Sequence, residues 1–468
     1  MQRNLQRLTL LLLIGFAVTG ALLGYWGVVR APALASREDN PRTILAERRI
    51  QRGRILDRNG HVLAETVGEP GAFTRHYPYP QAAPAIGYYS LRYGLLGVEA
   101  AYDATLRGTS GDFWRAQWDA WLQRPPQGRD VRLTLDLATQ RAADAALGER
   151  HGAVVLLSLP DGAIRALASH PTYDPNRLDE TFEALRTDPG APLLNRATQG
   201  LYQPGAVLET VVLAAALEQG VIALDDPAPK AIQPLELSGG RLSCARIPGN
   251  ASAPQGEGSS YLAAYIHACP SPFAELGPRL GIDRLRETWA RFGLDQAPSL
   301  PIPTTAGVVG QPPADGEALR LAAAGQGELI VTPLHMALVA ATIAEEGYRP
   351  QPYLVEAVQA ESAEGSAWQP AAPRRARPVL TPAVAQALAG AMRRAVTDGA
   401  AQAANTPNGV VAGHAGVALA GPGRYHAWFI GFAPANAPRY AIAVLIEDSA
   451  SAAQAAQVGS KVLRTAFD

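Results

Sequence analysis

The sequence has few of the residues that hold metals, bind phosphates or carry a strong net charge. Only two cysteines and eight scattered histidines occur in 468 residues, and no Cys/His group has the spacing of a metal site. There is no P-loop and no internal repeat. The formal net charge of −1 gives no electrostatic reason to expect a nucleic acid as partner. We therefore predict no metal, no other cofactor and no nucleic acid for this chain.

The composition that remains is that of a folded, multidomain protein. Hydrophobic residues make up 47% and charged residues 18% of the chain, which are ordinary fractions. A length of 468 residues is enough for two or three domains, each with its own core. The 45 glycines and 38 prolines indicate many turns and long loops, as in an enzyme-like domain with helices and strands.

Residues 8–29 are an uncharged, apolar run, and a helix needs about 20 such residues to cross a bilayer. Arg3 and Arg7 precede the run, so the positive-inside rule predicts a cytoplasmic tail at 1–7 and an extracytoplasmic location for everything after Arg30. The prediction is a single-pass protein of the plasma membrane.

A cleaved signal peptide is the alternative for the N-terminus, because Ala-Leu-Ala at 33–35 resembles a cleavage site. Signal peptides have apolar cores of roughly 7–15 residues, and the run at 8–29 is longer. An uncleaved anchor is therefore the prediction. Cys244 and Cys269 both follow the anchor, in a compartment that permits a disulfide worth roughly 3 kcal/mol. Two buried free thiols are the other possibility.

Residues 37–130 form a first extracytoplasmic segment. Trp114, Trp118 and Trp121 within it have helical spacing and share one face. Such stripes are usually core, so the default interpretation is packing between domains. Contact with a partner or a membrane is the alternative.

A second domain begins near residue 150. The runs 152–159 and 163–169 flank Pro-Asp-Gly and predict a β-hairpin. Further elements are predicted as a helix at 206–217, an exposed loop at 356–378, strands at 428–432 and 440–447, and a helix at 451–465. Strands from both ends of the domain with helices between them predict an α+β fold, an antiparallel sheet flanked by helices.

Several short motifs then point to one family. The stretch 200–209 reads Gly-Leu-Tyr-Gln-Pro-Gly-Ala-Val-Leu-Glu, and 152–155, 166–176, 325–328 and 426–434 match in the right order. Together they resemble the penicillin-binding transpeptidase domain. Upstream, 52–60 and 88–94 resemble the pedestal, or dimerisation-like, domain of the class B, single-anchor members. The similarity runs from about residue 40 to the end of the chain.

The resemblance implies an anchor helix at 8–29, a β-rich pedestal at 37–130 and a transpeptidase-like domain at 150–468 with the penicillin-binding/β-lactamase-like fold. It also implies a substrate, the D-alanyl-D-alanine end of a peptidoglycan stem peptide, and a partner, a polytopic peptidoglycan glycosyltransferase. In this family a serine attacks the substrate after a lysine one turn later takes its proton. Ser-x-Asn and Lys-Thr-Gly motifs complete the site.

All three motifs are altered in this chain. The altered positions are Ala206 for the serine, Glu209 for the lysine, Ala268 and Pro270 in the second motif, and His414 and Ala415 in the third, where Gly416 persists. A methyl group cannot form an acyl ester, and losing the nucleophile of a serine protease costs about 10⁶ in rate. We therefore predict a catalytically inactive pseudo-transpeptidase that acts as a scaffold or regulator of cell-wall synthesis.

Two alternatives remain open at this point. One is a transpeptidase with a non-standard nucleophile, for which Cys269 and Ser271 are the candidates. The other is a non-catalytic binder of cell-wall peptides, with Glu209, Cys269, Ser271 and His414 as candidate cleft residues. Glu209 itself has two interpretations: a carboxylate that stabilises the start of its helix, which is the default, or one half of a pair with His414 across the cleft.

Overall fold

A computed structural model shows a long N-terminal helix, a pedestal and a large α+β domain. It describes residues 2–30, 45, 47–110, 114, 118, 121–122, 124, 126–245, 253–256, 258–310, 315–360, 367–371, 375–406 and 411–467.

The N-terminal helix runs over Gln2–Gly24 and continues as a π-helical turn over Tyr25–Val29. Within it, Gln6–Gly27 has a mean hydropathy of 2.1 and none of it is buried against the protein. Among the described residues this is the one helix long and apolar enough to cross a membrane.

The pedestal is built on a six-stranded sheet whose strands come from distant parts of the chain. In sheet order the strands are Trp368–Pro370, Val355–Gln359, Val131–Leu133, Ile55–Leu56, Val62–Val67 and Thr74–His76. The remaining described elements are a strand pair and short helices: Pro80–Ala82, Ala83–Ile86, Gly87–Ser90, Gly94–Gly97, Val98–Ala101 and Asp103–Arg107.

The prediction of an exposed loop at 356–378 is wrong for residues 356–359 and 368–370, which are strands, while the described residues 375–378 are exposed and 361–366 and 372–374 lie outside the described residues. Val355–Gln359 pairs antiparallel with Val131–Leu133, and Trp368–Pro370 extends the same sheet. Val355 and Ala357 are buried, because their side chains face the core under this sheet. The Ala- and Pro-rich composition hid a strand whose partner lies more than 200 residues earlier in the chain.

The large domain has a five-stranded antiparallel sheet. In order its strands are Ala412–Gly421, Arg424–Ala433, Tyr440–Ile446, Gly152–Ser158 and Ile164–His170. Alternate residues enter two different cores, as a pleated sheet requires. Trp428 and Ile430 pack on one face, and Phe429 packs on the other.

Helices cover both faces of this sheet. The helices are Leu137–Leu147, Leu178–Thr187, Glu209–Glu218, Tyr261–Ile266, Pro270–Leu280, Ile282–Phe292, Gly316–Ala323, Pro333–Ala344, Pro382–Asp398 and Ala452–Phe467. The almost fully buried Pro333–Ala344 lies on one face, while Leu137–Leu147 and Ala452–Phe467 lie on the other. Shorter elements are Pro175–Arg177, Gly205–Leu208, Leu235–Leu237, Gly240–Leu242, Tyr348–Arg349, Arg377–Pro378 and Gln402–Ala404.

The interpretation of the tryptophan stripe as packing between domains is also wrong. Trp114, Trp118 and Trp121 are helical and are 77%, 60% and 74% exposed. Helical periodicity showed correctly that the three rings share a face, but it carries no information on what covers that face.

Candidate functional site

The centre of the site is the start of the helix that would present the nucleophile. A 3₁₀ turn, Gly205–Leu208, leads into the α-helix Glu209–Glu218. Gly205 has φ +54°, and a Cβ there would lie 2.4 Å from the Val417 carbonyl oxygen. Only glycine fits this position, so the turn is held directly against the edge strand Ala412–Gly421.

Ala206 lies against Gly416 of that strand. A Cβ added to Gly416 would lie 2.3 Å from the Ala206 Cβ. Glycine is therefore needed at position 416 for packing in this chain. Ala206 is 5% exposed and opens onto a cavity.

That cavity has a volume of about 640 Å³ and walls of small, uncharged residues. The described residues that line it are Ala206, Leu242, Ser243, Cys244, Ala245, Ala268, Pro270, Gly399, Ala400, Gln402, Ala403, Gly416, Val417 and 450–453. These lining residues carry no formal charge. The walls can therefore recognise a ligand by its shape and through backbone hydrogen bonds, but not through an ion pair. Across the described chain, no three His, Cys, Asp or Glu side chains are grouped to hold a metal ion.

Glu209 and His414 lie together behind Ala206, away from solvent. Glu209 Oε2 is 3.4 Å from His414 Nε2, and both side chains are fully buried. Burial raises the pKa of Glu209 well above its ordinary value. Burial also lowers the pKa of His414 to about 3, opposed only by the backbone of Ala206. Burial therefore favours the uncharged form of both the carboxyl and the imidazole.

A neutral carboxyl gains nothing from the helix macrodipole, which acts on charge. The default interpretation of Glu209 as a charged helix-stabilising group does not fit this geometry, and the structure instead places it in contact with His414. The His414 ring also stacks on Tyr265, with centroids 4.2 Å apart and planes 10° apart. The Tyr265 hydroxyl in turn lies 2.8 Å from the Thr210 hydroxyl.

The stretch that resembles the second motif has an unusual backbone conformation. Ala268 has φ +48°, a left-handed conformation that costs an L-residue roughly 1–2 kcal/mol. Pro270 begins the helix Pro270–Leu280, and both residues line the cavity.

The two candidate nucleophiles are both buried, and each already has a partner. Cys269 is fully buried and joined to Cys244 in a disulfide, so neither cysteine is a free thiol. Ser271 is buried too, and its hydroxyl donates a 2.7 Å hydrogen bond to the Gln233 carbonyl. Ala415 is buried in the core that includes Ala401 and Ala404.

Residues that frame the helix start form a connected network. Arg196 Nε donates to Glu447 Oε1 at 2.8 Å, and the Tyr202 hydroxyl donates to the same oxygen at 2.6 Å. The Trp428 indole donates to the Gln203 carbonyl at 3.0 Å. These contacts tie the segment before Gly205 to the strand Arg424–Ala433 and to the residue that follows the strand Tyr440–Ile446.

Sequence reasoning missed the far wall of the cavity and the aromatic ring over His414. Residues 399–403 and 450–453 are mostly Ala, Ser and Gly, which have no recognisable pattern. Tyr265 lies four residues before Cys269 in sequence, but nothing in this spacing indicated that its ring stacks on the strand residue His414.

The sequence of this chain is similar to two penicillin-binding protein domain families and to named D,D-transpeptidases. Residues 152–466 match the penicillin binding protein transpeptidase domain, and residues 52–131 match the penicillin binding protein A dimerisation domain. The chain is 35% identical to the peptidoglycan D,D-transpeptidase PbpA of Mycolicibacterium smegmatis, with 96% of this chain and 94% of that protein covered. The PbpA of Mycobacterium tuberculosis is 34% identical, with 94% of each covered.

Solved structures agree. The crystal structure of PBPA from Mycobacterium tuberculosis matches with a TM-score of 0.80 and 34% identity, covering 90% of this chain and all of that one. An imipenem acyl-enzyme complex of the same protein matches with a TM-score of 0.81 and 35% identity over 91% of this chain and all of that one. The chain, with its α+β transpeptidase domain on a pedestal, therefore belongs to the class B penicillin-binding protein family.

Proposed function

We propose that this chain is a membrane-anchored penicillin-binding protein that takes part in cell-wall synthesis without acylation, as a scaffold or regulator. The observation that carries the proposal is the methyl group of Ala206 at the position of the nucleophile, at the start of a helix that hydrogen bonds such as Tyr202–Glu447 still hold in place. Relatives of similar length are named D,D-transpeptidases. This chain keeps their fold and loses the atom that would form the acyl bond.

The surrounding groups support the same conclusion. A general base must accept a proton, and burial raises the pKa of the Glu209 carboxyl well above its ordinary value and so favours the protonated form, which cannot act as a base. The family's substrate-binding lysine is replaced by His414, which is neutral and fully buried. The disulfide at Cys269 and the hydrogen-bonded, buried Ser271 argue against the alternative of a non-standard nucleophile.

The test is covalent labelling of the full chain with a fluorescent penicillin. We expect no labelled band after denaturing electrophoresis. PBPA of Mycobacterium tuberculosis, which has been solved as a penicillin G acyl-enzyme complex, is the positive control. A band on this chain that hydroxylamine removes would overturn the proposal, and mass spectrometry of the labelled peptide would then identify the nucleophile.

A second function, binding of a cell-wall peptide without turnover, is favoured by the cavity itself. Its 640 Å³ falls in the usual range for ligand pockets. Because its described lining is uncharged, the peptide's terminal carboxylate would have no ion-pair partner there. Calorimetry with muropeptides separates the two functions, since a scaffold that works through other surfaces gives no heat from the cleft.

The proposed setting is the plasma membrane, with the tail at 1–7 in the cytoplasm and the residues after Arg30 outside. The apolar helix Gln6–Gly27 and the family membership support it. Protease added to intact spheroplasts should remove the pedestal and the large domain. A polytopic peptidoglycan glycosyltransferase is the proposed partner, and its recovery after crosslinking through the anchor and pedestal is the corresponding test.

A further inference from the structure

The exposed tryptophans of the pedestal are a surface that the proposed function does not use. Trp114, Trp118 and Trp121 all have more than half of their surface exposed, and the rings of Trp118 and Trp121 are 5.3 Å apart. Leu122, next to them, is 36% exposed. Large apolar side chains clustered at a surface mark an interaction site more often than a scattered exposed residue does.

The segment that carries these rings starts and ends where the chain near Leu106 and Gly128 is hydrogen-bonded to residues 51–53, and these residues are here called its base. Before the tryptophans, the Leu106 carbonyl accepts a hydrogen bond from Gly53 N at 2.8 Å. After them, Gly128 N donates to the Gln51 carbonyl at 3.1 Å. A Cβ on Gly128 would lie 2.1 Å from Gly53 N, so the two chain segments touch along their backbones.

This base is also where the chain arrives from the apolar helix. Glu47 forms an ion pair with Arg107, and Gln51 bridges to Gln127. Between Arg30 and Glu47 lie the 16 residues 31–46. Sixteen residues reach at most about 55 Å when fully extended. The tryptophan segment therefore starts from the part of the pedestal that is tethered closest to the end of the apolar helix.

We propose that Trp114, Trp118 and Trp121 dock on the outer surface of the bilayer that the chain's own N-terminal helix crosses. Tryptophan is enriched at the membrane–water interface because its ring is apolar and its N–H is polar. Between residues 111 and 126 the sequence has two Arg and two Asp, so the segment has no net charge. The contact consequently needs no anionic lipid, and a zwitterionic surface is the stated occupant.

Docking of this kind would fix the pedestal close to the membrane and limit how far the large domain moves. A protein groove is the competing occupant for the same face. The short tether and the absence of net charge favour lipid. The contact rests on the membrane anchoring proposed above, so its test must report on anchoring and on tryptophan contact separately.

The experiment uses the full chain with Trp26→Phe, which removes the one tryptophan in the apolar helix. The protein is reconstituted in phosphatidylcholine vesicles with and without bromine near the headgroup end of the acyl chains. Six tryptophans remain, and Trp289 and Trp428 among them are buried. We expect brominated lipid to lower the emission, and we expect that loss to disappear when Trp114, Trp118 and Trp121 are also replaced by Phe.

Resistance to carbonate extraction, measured on the same vesicles, reports the anchor. Equal emission in brominated and plain lipid, from protein that resists carbonate, would overturn the docking proposal and leave the anchor in place. Shielding of the tryptophans from acrylamide in native membranes without quenching by brominated lipid would also overturn it, in favour of a protein partner. Extraction by carbonate would contradict the anchor alone, and quenching in that case would still support the tryptophan contact.

Discussion

At position 209 a carboxyl lies entirely inside the protein, 3.4 Å from a buried imidazole. Burying an isolated charge is costly, so buried ionisable groups change their protonation instead. The pair carries one proton at neutral pH, and it stays neutral overall whether that proton sits on Glu209 or on His414. The number of protons on the pair, rather than which of the two groups holds them, controls how the pair makes stability depend on pH.

The first prediction concerns the pH dependence of stability. Unfolded, with ordinary pKa values of 4.5 and 6.5, the two groups hold two protons below pH 4.5, one between, and none above pH 6.5. As pH rises, stability falls wherever the folded state holds more protons than the unfolded state, and it increases wherever the folded state holds fewer. The pair's contribution is therefore flat from pH 4.5 to 6.5, decreases above 6.5, and decreases below 4.5 toward pH 3.

Glu209→Gln removes the proton that the folded state must hold. From pH 4.5 upward, the unfolding free energy of the variant minus that of the parent should increase by about 1.4 kcal/mol per pH unit. Urea unfolding at a series of pH values measures this. Glu236→Gln, at an exposed glutamate, is the matched control and should run parallel to the parent. Parallel curves for Glu209→Gln would show that Glu209 is ionised in the folded protein.

The second prediction is that Ala206→Ser alone does not restore β-lactam labelling. The group at the position of the base would be a fully buried carboxyl, for which burial favours the protonated form, and a protonated carboxyl cannot accept the proton of the new hydroxyl. The variant therefore recovers little of the roughly 10⁶ in rate that a missing nucleophile costs. Fluorescent penicillin measures the outcome.

Its comparison is the fourfold variant Ala206→Ser, Glu209→Lys, His414→Lys and Ala415→Thr. Labelling of this variant but not of the single one would show a cleft whose backbone still supports the chemistry. Labelling of Ala206→Ser by itself would contradict the description of Glu209 as a neutral group.

At the scale of elements, the contact between the turn Gly205–Leu208 and the edge strand gives the third prediction. Gly416→Ala places a methyl group 2.3 Å from Ala206 Cβ and should destabilise by about 1–3 kcal/mol. Gly390→Ala is the control, because Gly390 is exposed in the helix Pro382–Asp398 with nothing within 4 Å of a new Cβ. It should stabilise by about 0.5–1 kcal/mol. Chemical denaturation checks both, and an unchanged Gly416→Ala would mean that the strand can move away.

Local patterns predicted the elements that form locally. The hairpin at 152–169 and the strands at 428–432 and 440–447 came from apolar runs around turn residues, and the structure has them as Gly152–Ser158, Ile164–His170, Arg424–Ala433 and Tyr440–Ile446. The strand Val355–Gln359 was missed because its pairing with Val131–Leu133 is a long-range contact that leaves no local pattern.

At the site, too, the local sequence predicted some features, while long-range packing determined the others. Motif resemblance identified Ala206, Glu209, His414 and Gly416, and the structure brings these four together. Burial of Glu209 was not predicted, because a glutamate after Leu208 in sequence looks the same whether its side chain faces water or a strand. The side chain's surroundings come from tertiary packing alone.

At the scale of the whole molecule, the pedestal and the large domain share one core. The hydrophobic cluster that contains Ile55 and Leu63 also contains Leu157 and Leu338. The Thr134 hydroxyl donates to the Ile164 carbonyl at 2.8 Å, across the junction. The two parts therefore lack the small, polar interface that lets domains unfold separately.

The fourth prediction is a single unfolding transition. Calorimetry of the full chain in detergent should give one endotherm, coincident with the loss of near-UV circular dichroism. Val355→Asp, which buries a charge in the strand that links the two parts, should split the transition or lower its midpoint. Two well-separated endotherms in the parent would contradict a shared core.

The edge strand Ala412–Gly421 has a consequence for solubility. An uncovered sheet edge is a template on which another chain can add a strand, and this one is ten residues long. Here Leu419 N donates to Gln326 Oε1 at 3.1 Å, Gly205 touches the Val417 carbonyl, and Gly423 N beyond the strand donates to the Gly239 carbonyl at 2.9 Å. The contacts that leave no room for a side chain at Gly416 thus also protect the folded protein from edge-to-edge aggregation.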